Sequence, residues 1–114
     1  MRRLLLAGAL VLVLAGCRGG PGGSIAPDAK PVTGVTEVTM KSLRFEPPVI
    51  QVPAGTTVTW RFTDGNVPHN VSGPGFKSEP ESSGTFTHAF PAAGTFDYRC
   101  ELHPGMNGRV VVSG

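Results

Sequence analysis

Residues 57–62 read Thr-Val-Thr-Trp-Arg-Phe, and this stretch decides the fold class. Its valine, tryptophan and phenylalanine alternate with polar residues, which is the period-two pattern of a strand with one buried face. The same parity recurs in residues 86–90 and 96–100, and shorter apolar runs lie at 49–52 and 109–112. Eleven prolines and sixteen glycines leave no room for a long helix. The sequence therefore predicts an all-β sandwich or barrel of short strands.

The N-terminal part of the chain carries no such alternation. Met1-Arg2-Arg3 is followed by an apolar run from Leu4 to Ala15, too short for the roughly 20 residues that span a bilayer. Its length and basic start are typical of a secretory signal. The sequence Leu14-Ala15-Gly16-Cys17 resembles a bacterial lipobox. We therefore expect residues 1–16 to be a lipoprotein signal peptide and Cys17 to be lipidated; the alternative is a plain signal peptide with an incidental cysteine.

The segment after Cys17 is rich in glycine and proline and predicts a flexible tether over residues 17–34. The folded domain is then expected over residues 35–114. The net charge of +2 comes from Arg2 and Arg3, and without them eight basic residues balance eight acidic ones. A near-neutral chain gives no support for nucleic-acid binding. These features predict an extracytoplasmic protein, held at a membrane by acyl chains.

The sequence Tyr98-Arg99-Cys100-Glu101-Leu102-His103-Pro104-Gly105-Met106 places a thiolate, an imidazole and a thioether within seven residues. Blue copper sites use two histidines and one cysteine near a trigonal plane, with a long axial bond to methionine. Cys100 is also the remaining cysteine of an exported chain once Cys17 is modified, and a free thiol in an oxidising compartment needs a reason to exist. We therefore expect Cys100, His103 and Met106 to bind copper.

A second histidine must come from elsewhere, and His69 lies 31 residues before Cys100. That separation is long enough to join two parts of a β-sandwich. The alternation in residues 96–100 places Cys100 on the inward face. His88, between two phenylalanines of one predicted strand, lies outside any ligand spacing and is interpreted as structural. The charges of Lys77, Glu79 and Glu81 predict a solvated loop.

The segment from about Val35 to Val112 resembles a cupredoxin of the plastocyanin and amicyanin kind. The resemblance lies in residues 45–60, in Pro68-His69-Asn70-Val71, and in residues 86–108. The short spacing C-x-x-H-P-x-M is most similar to that of amicyanin. The resemblance implies a Greek-key β-sandwich of about seven to eight strands, with one mononuclear type 1 copper ion at one end.

The resemblance also implies a function. A protein of this kind acts as a one-electron carrier between redox proteins, with transfer through the exposed edge of His103 and with no enzymatic activity. Asn70 would fix the two ligand loops against each other. Many relatives have serine or threonine directly after the cysteine, whereas this chain has Glu101. That departure puts the usual hydroxyl contact near Asn70 in doubt. We expect the protein to be a monomer.

Three alternatives compete with electron transfer. A protein that stores or delivers Cu(I) would use the same soft ligands, but such proteins often rely on Met-rich or multi-Cys segments, and the predicted mature chain has only Met40 and Met106. A copper enzyme would need further domains or a second histidine-rich centre, and this chain has three histidines in all. Zinc could bind Cys100 and both histidines, although methionine as the fourth ligand favours copper.

Overall fold

The computed structural model describes residues 25–114, and its ten strands form two sheets. The strands are β1 (Val32–Thr33), β2 (Glu37–Lys41), β3 (Arg44–Glu46), β4 (Val49–Pro53), β5 (Thr56–Phe62), β6 (Ser72–Gly73), β7 (Phe76–Lys77), β8 (Thr85–Phe90), β9 (Gly94–Arg99) and β10 (Asn107–Ser113). Among these residues no helix occurs that is long and apolar enough to cross a membrane. The predicted signal peptide and Cys17 lie outside the described residues.

The two sheets pack as a sandwich, which confirms the predicted fold class. One sheet has six strands in the order β1-β4-β10-β9-β6-β7, and the other has four in the order β3-β2-β5-β8. The chain changes sheet at six of the nine connections between these strands. Strands β4 and β10 lie parallel, as do β2 and β5. The strand count exceeds the expected seven to eight because β1, β6 and β7 are two-residue strands, too short to show a periodic pattern in the sequence.

Trp60 of β5 lies at the centre of the core between the sheets and has no exposed surface. Its ring stacks on Phe76 of the opposite sheet at 5.7 Å and meets Tyr98 edge-on at 5.3 Å. Val58 and Phe62, the partners of Trp60 in the predicted alternation, are also buried. Aromatic pairs at such separations add to the burial of apolar area.

The ring of Tyr98 lies directly over Gly108, its partner across β9 and β10. A Cβ atom built on Gly108 would lie 2.6 Å from Cε2 of Tyr98, so that only glycine fits here without a shift. Burial raises the pKa of the Tyr98 hydroxyl far above its ordinary value. This close approach lets β9 carry a large aromatic residue two positions before Cys100.

Ordered contacts begin before the expected domain start at residue 35. Strand β1 pairs in parallel with β4 through Val32 and Ile50. The guanidinium of Arg109 donates to the carbonyl oxygen of Ala26 at 2.6 Å and to that of Ile25 at 3.2 Å. Arg109 also pairs with the carboxylate of Asp97 at 2.6 Å. Residues 25–34, expected in the tether, thus contact the six-stranded sheet.

Candidate metal centre

Three of the expected ligands meet at one end of the sandwich. His69 lies in the connection between β5 and β6, Cys100 directly follows β9, and His103 lies in the loop before β10. One ligand atom from each lies within 4.8 Å of the others. His69 and Cys100, 31 positions apart in the sequence, are brought together because β6, which begins three residues after His69, pairs with the end of β9 through Ser72 and Arg99.

The ring of His69 is fully buried and has a different partner on each nitrogen. Its Nδ1 lies 3.8 Å from Sγ of Cys100, and its Nε2 lies 2.8 Å from Oδ2 of Asp64. A carboxylate is an acceptor, so Nε2–H donates to Asp64 and Nδ1 keeps its lone pair. This tautomer leaves Nδ1 as the metal-binding atom beside the thiol.

Asp64 is a functional residue that the sequence did not reveal. Its two carboxylate oxygens accept the backbone N–H groups of Ser42 and Leu43, each at 3.0 Å. Both of these residues have positive φ, at 52° and 59°, in the tight turn between β2 and β3. The N–H of Leu43, followed by the bond from His69, lowers the pKa of Asp64. The sequence does place an aspartate five residues before His69. It gives no sign of the partners of that aspartate, because Leu43 and Ser42 lie 21 and 22 residues away.

His103 is oriented in the same way by a different acceptor. Its Nε2 donates to the carbonyl oxygen of Pro68 at 3.0 Å, which leaves Nδ1 with the lone pair. The rings of His69 and His103 lie edge-on with centroids 4.8 Å apart. His103 is half-buried whereas His69 has no exposed surface. The two histidines are therefore not equivalent, and His103 is the one that reaches the surface.

The loop from Cys100 to Met106 is closed by its own backbone. The N–H of Cys100 donates to the carbonyl oxygen of Met106 at 2.9 Å, and the N–H of Met106 donates to that of His103 at 3.2 Å. Gly105, between His103 and Met106, has φ of 88°, a conformation that favours glycine. Cys100 and Met106 are both buried, with 3% and 2% of their surface exposed. The seven-residue loop thus holds two sulfur side chains away from water.

Asn70 links the His69 loop to the Cys100 loop through Glu101. The backbone N–H of Glu101 donates to Oδ1 of Asn70 at 2.7 Å, and Nδ2 of Asn70 donates to the Glu101 carboxylate at 2.8 Å. The contact that the missing hydroxyl put in doubt is therefore made by the carboxylate. Lys77 pairs with the same carboxylate oxygen at 3.1 Å. The bonds from Asn70 and Lys77 lower the pKa of Glu101.

The segment around Lys77 differs from the expected solvated loop. Lys77 belongs to β7, and Glu81 exchanges two backbone hydrogen bonds with His69, at 2.8 and 2.9 Å. The hydroxyl of Ser78 accepts the N–H of Val71 at 2.8 Å. The prediction of a loop was wrong for Lys77, because charged side chains do not reveal backbone pairing, here the short hairpin of β7 with β6.

The donor atoms suit the binding of a copper ion better than they suit catalysis by the side chains themselves. Two imidazoles with free Nδ1 atoms and one buried thiol converge, and a buried thioether closes the same loop. Soft sulfur donors favour Cu(I), and imidazole suits both copper oxidation states. His88 lies outside this cluster and stacks on Phe76 at 4.6 Å, in keeping with a structural role.

Comparisons with known proteins match the chain along nearly its whole length. The family described as "Cupredoxin-like domain" matches residues 5–112. The chain is 39% identical to amicyanin-alpha of Methylorubrum extorquens, over 98% of this chain and 99% of that protein. It is 38% identical to amicyanin of Paracoccus denitrificans, over 74% of this chain and 70% of that protein.

Solved structures agree with these relatives. A purple cupredoxin from Nitrosopumilus maritimus is 29% identical and superimposes with a TM-score of 0.63, over 69% of this chain and all of that one. A Cu(I) form of a methionine-to-alanine variant of amicyanin is 34% identical, with a TM-score of 0.62 over 70% of this chain and 83% of that one.

Proposed function

This chain belongs to the cupredoxin-like family, and from that membership we propose that it is a blue copper protein that carries single electrons between redox proteins. The proposal rests on one observation above the others. Two histidines, whose tautomers are each fixed by an acceptor on Nε2, keep a lone pair on Nδ1, and each brings a ring nitrogen within 4.8 Å of the sulfur of a buried cysteine. This arrangement suits the binding of one copper ion, which would supply a one-electron change between Cu(II) and Cu(I).

The ligands in this proposal are His69, Cys100, His103 and Met106. The first three are supported by their convergence within 4.8 Å. Met106 is supported by its burial and by its place in the loop, where its backbone bonds to Cys100 and His103. Asn70 would act beside the ligands and hold their two loops in register.

The surroundings suit electron transfer. The bonds from Asp64, Pro68 and Asn70 fix the ligand loops before any metal arrives, and a fixed ligand set keeps reorganisation small when one electron is gained or lost. Burial of Cys100 excludes water and other reactants from the thiol.

The exposed edge of the site suits brief contact with a redox partner. His103 is the half-buried ligand, and three exposed apolar residues belong to the loops of the same end: Leu43, Val67 and Leu102, with 49%, 36% and 38% of their surface exposed. A contact surface built on these three apolar residues, the apolar rim, is small, and small interfaces are typical of weak electron-transfer encounters. We propose that electrons enter and leave through His103 at this rim.

An absorption spectrum of the full-length protein with Cu(II) tests the proposed function. We expect an intense band near roughly 600 nm that ascorbate bleaches, since this band arises from the Cys–copper bond of blue copper sites. Cys100→Ser should abolish the band, whereas His88→Gln, a change outside the cluster, should keep it. A colourless wild-type protein that still binds Cu(I) would instead favour storage or delivery, and a preference for zinc would contradict both.

We also propose that residues 1–16 are removed, that Cys17 is lipidated, and that a monomeric folded domain is held at the outer side of a membrane. The support is the lipobox-like sequence at residues 14–17, which follows a basic start and the apolar run of residues 4–15. Labelling of cells with a radioactive fatty acid should mark the wild-type protein. Cys17→Ser should lose both the label and the membrane fraction, and a label that persists would overturn the lipid assignment.

A further inference from the structure

Glu101 directly follows Cys100 and so brings a negative charge next to a proposed metal ligand. Its side chain is one-third exposed, with 33% of its surface accessible. Because the adjacent Cys100 and the bonded Asn70 are both buried, the medium between this carboxylate and the metal centre screens charge less than bulk water does.

The carboxylate is held in a fixed place. Two hydrogen bonds join Glu101 to Asn70, one through its backbone N–H and one through its side chain. Asn70 adjoins His69 as Glu101 adjoins Cys100, so the pair spans two ligand-bearing loops. A charge that is fixed relative to the ligands acts at a constant distance on the charge of the site.

Lys77 provides a partial counter-charge. Its ammonium lies 3.1 Å from the carboxylate, but 64% of its side chain is exposed. An exposed ion pair is screened by water and salt, so Lys77 offsets only part of the negative charge. The residue with which its side chain pairs, Glu101, is not one that we assign as a ligand.

We propose that Glu101 is a positioning residue that also lowers the reduction potential of the metal site through its charge, with Lys77 opposing it. The proposal rests on the proposed function, since it needs a redox-active copper at this centre. A negative charge stabilises the oxidised site, which carries one more positive charge than the reduced site. Removal of the Glu101 charge must then favour reduction, and removal of the Lys77 charge must favour oxidation.

The test is the midpoint potential of the full-length copper protein and three variants. Glu101→Gln keeps an oxygen that accepts from Asn70 and should change the Cu(I):Cu(II) ratio at a fixed applied potential roughly two- to tenfold toward Cu(I). Lys77→Gln should change that ratio toward Cu(II), by a smaller factor. Glu37→Gln, on β2, breaks a comparable exposed ion pair with Arg61 of β5. This control should leave the Cu(I):Cu(II) ratio unchanged.

Because the two substitutions should shift the Cu(I):Cu(II) ratio in opposite directions, the test distinguishes an effect of charge from a general disruption of the site. A Glu101→Gln protein whose ratio matches that of Glu37→Gln, or Lys77→Gln and Glu101→Gln shifts of the same sign, would overturn the proposal. If Glu101→Gln fails to fold, the sign of the Lys77→Gln shift decides alone. A colourless wild-type protein would instead refute the proposed function, so the two failures are distinguishable.

The positioning part can be tested without metal. In NMR spectra of the apoprotein, the side-chain amide protons of Asn70 should exchange slowly in the wild type and in Glu101→Gln. They should exchange fast in Glu101→Ala, which removes the acceptor but keeps the backbone bond. Equal exchange in all three proteins would show that the side chain of Glu101 does not hold Asn70.

Discussion

Gly108 has no Cβ, and the ring of Tyr98 occupies the space that a Cβ would take. Phe45 in turn packs edge-on against Tyr98 at 4.7 Å. Cys100 lies two residues beyond Tyr98 on the same face of the chain. Any displacement of the tyrosine ring would therefore be passed along β9 toward the thiol.

We expect Gly108→Ala to destabilise the protein by about 1–3 kcal/mol, the usual cost of an overpacked core. The new methyl group would overlap the Tyr98 ring, which has no room to retreat because it is buried. Urea unfolding measures this change. Gly114→Ala is the matched control, since its Cβ would meet only Ala93 at 3.8 Å. Equal stability of the two variants would contradict the close packing.

Asp64 should make the stability of the apoprotein depend on pH. Its pKa is lowered in the folded protein from an ordinary value of about 3.9. Its contribution is therefore fully present above that value and is lost as the pH falls through the lowered folded pKa. Thermal unfolding of Asp64→Asn and of the wild type should show a constant gap from pH 7 to about pH 5, and the gap should narrow below about pH 4.

A suitable control for this prediction is Asp28→Asn, which changes an exposed aspartate outside the metal centre. Its unfolding temperature should follow that of the wild type at every pH. A gap between Asp64→Asn and the wild type that grows on acidification would contradict the assigned direction of the pKa shift.

At the scale of elements, the strands were more predictable than the contacts between them. The alternation in residues 57–62 and 96–100 reports which face is buried, and both β5 and β9 follow it. The metal cluster was visible because three of its four expected ligands lie in one short loop. Asp64 and Lys77 were not visible in this way, because their partners lie on other loops and strands. The sequence predicts Arg109 to be an ordinary member of the closing strand, yet it is 8% exposed and its guanidinium donates four hydrogen bonds.

Arg109 joins β10, β9 and the segment before β1. We expect Arg109→Met to lower stability by about 2 kcal/mol, since charged hydrogen bonds contribute roughly 1.5–3 kcal/mol each and part is recovered by packing. Limited proteolysis should then cut near residues 25–31 much faster than in the wild type.

The conservative variant Arg109→Lys separates charge from geometry. Lysine keeps the positive charge but cannot reach Asp97 and two carbonyl oxygens at once. The protease should cut the Arg109→Lys protein at a rate between those of the wild type and of Arg109→Met. Identical cutting of all three proteins would show that Arg109 does not hold the N-terminal segment.

At the scale of the whole molecule, the near-zero net charge and the apolar rim together determine how two copies of the protein associate. The chain without Arg2 and Arg3 has eight basic and eight acidic residues. Long-range attraction or repulsion is then weak, and salt has little to screen. Electron self-exchange between oxidised and reduced protein, measured by NMR line broadening, should change less than about threefold between 20 and 500 mM NaCl.

Leu102→Lys should change this behaviour. Two positive charges would face each other when the rims meet, so self-exchange should slow at low salt and recover at high salt. Lys30→Gln, which changes an exposed lysine in the segment before β1, should leave the salt response unchanged. A wild-type rate that rises steeply with salt would show that charged residues dominate the contact.

The hydrogen bonds from Arg109 to Ile25 and Ala26 limit where this protein can work. They fix the chain at Ile25, and only residues 18–24 separate that point from Cys17. Seven residues span at most about 25 Å when fully extended. If Cys17 carries the acyl chains, the domain stays within a thin layer above the lipid and searches for partners by lateral diffusion in two dimensions. Redox centres that lie deep in the aqueous space would be out of its range, whereas those close to the membrane surface would meet it repeatedly.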